Sequence, residues 1–115
     1  MIDEGYTKYR VDWQRSAPLP ESDIAALDAC RRRLWRAGLV GHDPVHDVGY
    51  GNISVRDSGS REFVISGTQT GEIEATDGRH YSRVTGYSID GNHVVCAGPV
   101  QASSEALTHA AIYEL

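Results

Sequence analysis

Residues 51–66 read Gly-Asn-Ile-Ser-Val-Arg-Asp-Ser-Gly-Ser-Arg-Glu-Phe-Val-Ile-Ser, and the rest of the chain is best read outward from them. Ile53 and Val55 alternate with Asn52, Ser54 and Arg56, the two-residue period of a half-buried strand. The apolar run Phe63-Val64-Ile65 follows, and Asp57, Ser58, Gly59 and Ser60 between the two are turn formers. This pattern predicts a β-hairpin. Downstream, 67–78 has loop composition. A second hairpin is then predicted from 79–89 and 93–98, joined at Asp90-Gly91-Asn92, because Asp-Gly suits the positive φ angles of a tight turn.

Helices flank the hairpins. Ile24, Leu27, Cys30, Leu34 and Ala37 recur at three- and four-residue steps, predicting an amphipathic helix that starts near Glu21. Glu21 or Ser22 is expected to serve its first turn, and Gly38 to close it. Arg31, Arg32, Arg33 and Arg36 read as a solvated face that offsets the helix dipole. Residues 40–50, punctuated by Gly41, Pro44 and Gly49, read as a loop. From Ser103 to Leu115 a second helix is predicted, with Ala106, His109, Ala110 and Tyr113 on one face and Ser103 or Ser104 as N-cap. Residues 1–20, polar and without period, read as an arm over the surface or against a neighbouring subunit; 21–115 form the domain. The order helix, hairpin, hairpin, helix predicts an antiparallel sheet covered by helices.

Composition narrows the partners. At 115 residues the chain is one domain, and its net charge of −5 argues against nucleic acid and against an anionic membrane surface. No apolar stretch is long enough for a membrane span and the N-terminus has no signal-peptide run, so the expected address is the cytoplasm. Cys30 and Cys96 make no disulfide framework and read as buried thiols.

Three polar clusters fall where backbone N–H groups are free: Gly51-Asn52-Ile53-Ser54, then Ser66-Gly67-Thr68-Gln69-Thr70-Gly71, then Ser103-Ser104-Glu105. Glycines let an anion approach the backbone, hydroxyls and an Asn amide donate hydrogen bonds, and a helix N-terminus adds positive potential. Brought together, they would form a phosphate pocket without lysine. Glu105 and His109 stand at i and i+4, read either as a capping carboxylate with a partly buried histidine or as a buried proton-transfer residue beside the anion. His42-Asp43 and His46-Asp47 resemble half a metal site, but Pro44 breaks helical spacing, and the reading is a solvated loop. His80 and His93 show no partner in sequence.

The ordered set Gly51-Asn52-Ile53-Ser54-Val55-Arg56, Thr70-Gly71 and Ser103-Ser104-Glu105 with His109, Ile112 and Tyr113 resembles the class II aldolase/adducin family. The likeness runs from about residue 24 to Leu115, the N-terminal half of the family domain. It implies an α/β fold, an α/β/α sandwich around a mainly antiparallel sheet, incomplete in this chain and commonly built into a homotetramer. It further implies that Gly51, Asn52, Ser54, Thr70, Gly71, Ser103 and Ser104 bind the phosphate or the rest of the substrate, and that Glu105 does acid/base chemistry beside a divalent metal, usually zinc. The family's H-x-H pair and third histidine match positions beyond Leu115. The expectation is therefore a chain that carries the phosphate pocket and the glutamate and, alone, holds no metal. The resulting functional expectation is the N-terminal portion of a metal-dependent sugar-phosphate aldolase or epimerase-like protein. The alternatives are a non-catalytic adducin-like assembly module and an inactive truncated product.

Overall fold

The computed structural model describes residues 8–115; the first seven residues of the expected arm lie outside them. Strand β1 (Arg10–Arg15) is followed by helix α1 (Glu21–Arg36) and by two short strands, β2 (Gly41–Asp43) and β3 (Val48–Tyr50). Strands β4 (Ser54–Arg56), β5 (Phe63–Ser66), β6 (Tyr81–Ser88) and β7 (His93–Gly98) lead to helix α2 (Ala106–Tyr113). The architecture is mixed α/β. One five-stranded sheet has the order β1-β7-β6-β5-β4, and β2-β3 form a separate pair.

Both predicted hairpins form. In the first, Ser54 faces Ile65, Val55 faces Val64 and Arg56 faces Phe63. In the second, β6 and β7 pair antiparallel with a register shift between Val84 and Gly86. The positive φ in its turn falls on Asn92 at 53°, one residue after the expected Asp-Gly.

Two departures concern strands. The arm reading of 1–20 misses β1, which joins the sheet edge parallel to β7, from Arg10 opposite His93 to Arg15 opposite Gly98. The side chain of Trp13 fastens it, its Nε1–H donating to the Gly98 carbonyl at 2.9 Å. The loop expected at 40–50 is instead the β2-β3 hairpin, closed by Asp47 at φ +51°.

The core follows the pleat of β5. Phe63 and Ile65 pack with Val84, Val94, Cys96 and with Ala106 and Ala110 of α2. Val64, between them, packs with Tyr81 and with Ile24 and Leu27 of α1. Successive side chains of a strand point to opposite faces, so β5 carries one cluster on each side.

Helix α1 spans the residues expected, but its first turn has no side-chain cap, Pro20 standing at the N-cap position. Its C-terminus closes as a Schellman motif: Leu39 N–H donates to the Leu34 carbonyl at 2.9 Å, and Gly38 has left-handed φ. Cys30, expected to be buried, is exposed, whereas Cys96 is buried. Arg31 does not share the solvated face of its neighbouring arginines; it is 1% exposed.

Candidate functional site

Ser66, the last residue of β5, is where the three polar clusters meet. Its hydroxyl accepts from the Ile53 N–H at 3.1 Å, and its N–H donates to the Ile53 carbonyl at 3.0 Å. Its own carbonyl accepts from the Ser103 N–H at 3.1 Å. Next to it, Gly67 donates to the His80 carbonyl, and Thr68 to that of Gln101. The entry to β4, the exit of β5 and the entry to α2 are thereby stitched side by side.

These strips border one cavity of about 760 Å³. Gly51, Asn52, Thr70, Gly71, Ser103, Ser104 and Glu105 line it, together with residues of the β2-β3 hairpin such as His42 and Tyr50. Close backbone packing makes its wall. A Cβ on Gly71 would lie 2.3 Å from the Gly41 carbonyl oxygen. One on Gly51, where φ is +83°, would lie 2.3 Å from that of Leu39.

Donors border this space. Among the described residues the backbone N–H groups of Gln69, Gly71 and Ser104 meet no acceptor. Gln69 has a left-handed φ of 61°, which bends the strip around the cavity. The buried Thr70 hydroxyl donates to the Gly67 carbonyl at 2.8 Å and is therefore committed to the loop. Ser103 is also buried, its oxygen accepting from the Glu105 N–H at 3.2 Å, while Ser104 is exposed. Neither Ser103 nor Ser104 is the N-cap residue expected of them: Glu105 stands there without a side-chain cap, and Ser103 serves only the turn that leads into α2.

Two residues differ from their expected settings. Ser54 does not line the cavity. It lies beneath the rim, 2.7 Å from His109 Nδ1 and 2.5 Å from the Tyr113 hydroxyl. Glu105, one reading of which had it buried, is exposed, and its carboxylate accepts from the Thr108 hydroxyl at 3.2 Å. It does not pair with His109, whose Nε2 is instead 2.5 Å from Asn52 Oδ1. Burial pushes the His109 pKa below the ordinary 6.5, with Glu105 opposing more weakly.

Arg31 escaped the sequence reading, yet it holds the cavity loop. Its Nη2 donates to the Thr70 carbonyl at 2.8 Å and its Nη1 to that of Glu74 at 3.4 Å. Burial lowers its pKa, with Tyr81 and Asp28 opposing. The signal was present: Arg31 follows Ile24 and Leu27 at three- and four-residue steps, on the buried stripe itself.

The remaining histidines have structural partners. His42 pairs with Asp47 at 3.0 Å and His46 with Asp43 at 2.7 Å, across the β2-β3 turn. His80 Nδ1 accepts from the Asp77 N–H, and His93 sits 2.9 Å from Asp12. Among the described residues no three His, Cys, Asp or Glu side chains gather as a metal site would require. No described helix is long and apolar enough to cross a membrane.

A family profile described as the class II aldolase and adducin N-terminal domain matches residues 25–115. No curated protein and no solved structure matches the chain. The profile takes in all but the first turn of α1, both hairpins of the sheet, every cavity-lining residue and α2. The chain belongs to the class II aldolase and adducin N-terminal domain family.

Proposed function

We propose that the cavity binds the phosphate of a small sugar phosphate through Gly51, Asn52, Thr70, Gly71, Ser103 and Ser104, with Glu105 moving a proton at its rim. The observation that carries this reading is the set of unspent N–H groups on Gln69, Gly71 and Ser104, bordering the cavity into which α2 begins. Donors already fixed in place lose little freedom on meeting an anion, and the helix end adds favourable potential. Neutral donors therefore suffice where, among the described residues, no lysine or arginine lines the wall. Thr70 acts through its backbone, since its hydroxyl proton is already committed. Ser103 and Ser104 offer hydroxyl donors. Glu105, exposed beside them, can accept a proton from a substrate carbon or hydroxyl and return it.

Family membership implies a divalent metal, zinc in most of the enzymes. Among the described residues no three His, Cys, Asp or Glu side chains gather to hold one. The same reading takes the fold as an α/β/α sandwich, supported by the two clusters on alternate residues of β5. It also takes the chain as part of a cytoplasmic homo-oligomer, a tetramer in the family; exposed Val55 and Ile112 support self-association.

Isotope-labelled protein titrated with inorganic phosphate, then with a ketose 1-phosphate, tests the reading. Both ligands are expected to shift the amide signals of Gly71 and Ser104. Ser104→Asp, which sets a carboxylate against the phosphate, is expected to weaken binding by about a hundredfold or more. Unmoved signals at saturating phosphate would refute the reading. Binding without turnover in any metal-supplemented assay would mark a binding module instead of an enzyme.

A further inference from the structure

We infer that His109 is a positioning residue that turns the Asn52 amide so that its NH₂ group faces the cavity. The inference rests on the phosphate reading of that cavity and adds how one of its donors is aimed. Asn52 has an acceptor oxygen and a donor nitrogen on the same flat group, and an unrestrained amide can present either. An oxygen turned towards an anion would repel it.

The hydrogen bonds leave little choice. Asn52 Oδ1 lies 2.5 Å from His109 Nε2 and can only accept, so Nε2 carries the proton. A neutral imidazole has one N–H, so Nδ1 accepts, and its neighbour at 2.7 Å, the Ser54 hydroxyl, donates. Ser54 in turn accepts from the Tyr113 hydroxyl at 2.5 Å. Protons thus point one way along Tyr113, Ser54, His109 and Asn52, each bond polarising the next. The Asn52 nitrogen has no protein partner among the described residues, and Asn52 lines the cavity.

This arrangement also gives Ser54 a task one layer below the rim. His109 and Tyr113 lie four residues apart on the inner face of α2, so both reach the start of β4.

Three measurements on labelled protein test the inference. Long-range nitrogen–proton spectra of wild type are expected to show His109 protonated at Nε2 and bare at Nδ1; the opposite tautomer overturns it. Inorganic phosphate is expected to bind about tenfold more weakly to His109→Phe, and within about threefold of wild type to His109→Gln, whose amide can still donate to Asn52. Unchanged phosphate affinity in a folded His109→Phe overturns the inference. Should that variant fail to fold, Ser54→Ala takes its place: it leaves Nδ1 without its donor and is expected to mix the two tautomers and weaken phosphate about threefold. A single retained tautomer with full affinity in Ser54→Ala overturns the inference. If phosphate moves no wild-type signal while the Nε2 proton is seen, the phosphate reading fails but the orientation of Asn52 is supported.

Discussion

At the scale of single residues, half-buried His109 and buried Arg31 show how a polar side chain drawn in from water acquires its task. Each gives up water and takes fixed partners, and each fixes something that borders the cavity. For His109 the cost of burying a cation appears as a lowered pKa. The unfolded chain therefore binds more protons than the folded one at and below about pH 6.5, and the sign follows. The stability contributed by neutral His109 is complete above that pH and is lost as pH falls towards the depressed folded value. Urea midpoints at pH 8, 6.5 and 5 are expected to fall on acidification, less steeply in His109→Gln. An equal slope in the two proteins would remove His109 as the cause. The sequence placed His109 correctly on the inner face of α2 but offered Glu105 as its neighbour, because spacing along one helix is visible and a partner 57 residues away is not. Arg31 was hidden differently. Its charge suggested solvent, and only the stripe position told otherwise.

Among the elements, the cavity depends on the β2-β3 hairpin leaning against the 67–71 strip. Contact there is backbone to backbone, which only glycine allows. Gly71→Ala and Gly51→Ala each force a Cβ to 2.3 Å from a carbonyl oxygen, and the second adds strain at φ +83°. Neither wall can give by moving a side chain. Each substitution is expected to cost about 2–3 kcal/mol, read from urea unfolding, and to broaden or shift the amides of Leu39 to Gly41. A loss under about 0.5 kcal/mol for both would show that the walls are soft. The sequence announced the β4-β5 and β6-β7 hairpins because apolar alternation and turn residues lie within each. It gave no such notice for β2 and β3, whose three-residue strands are too short to show a period and of which β3 is exposed throughout.

Across the whole molecule, the first and last strands of the five-stranded sheet lie side by side at its edge. Trp13 joins them, donating to the Gly98 carbonyl over a separation of 85 positions and packing on the main core. Trp13→Ala removes both the half-buried ring and that hydrogen bond, at an expected cost of about 2–4 kcal/mol. Amide hydrogen exchange should speed up selectively along β1 and β7, with β5 and β6 following only the global loss. Uniform acceleration would mean that β1 is not a separable edge.

What the sequence determined by itself was local: the span of α1, two hairpins, the inner face of α2, and three strips of residues suited to an anion. Period, turn chemistry and capping all act within a few residues, so a one-dimensional reading can see them. Only the tertiary structure decided that β1 pairs with β7 and that Ser66 draws the three strips to one cavity. It also set Ser54 below the rim, with His109 between Ser54 and Asn52. Those outcomes depend on which distant groups become neighbours once the core closes. That choice is made by packing and by the need to pair every buried polar group, neither of which is written at a fixed spacing along the chain.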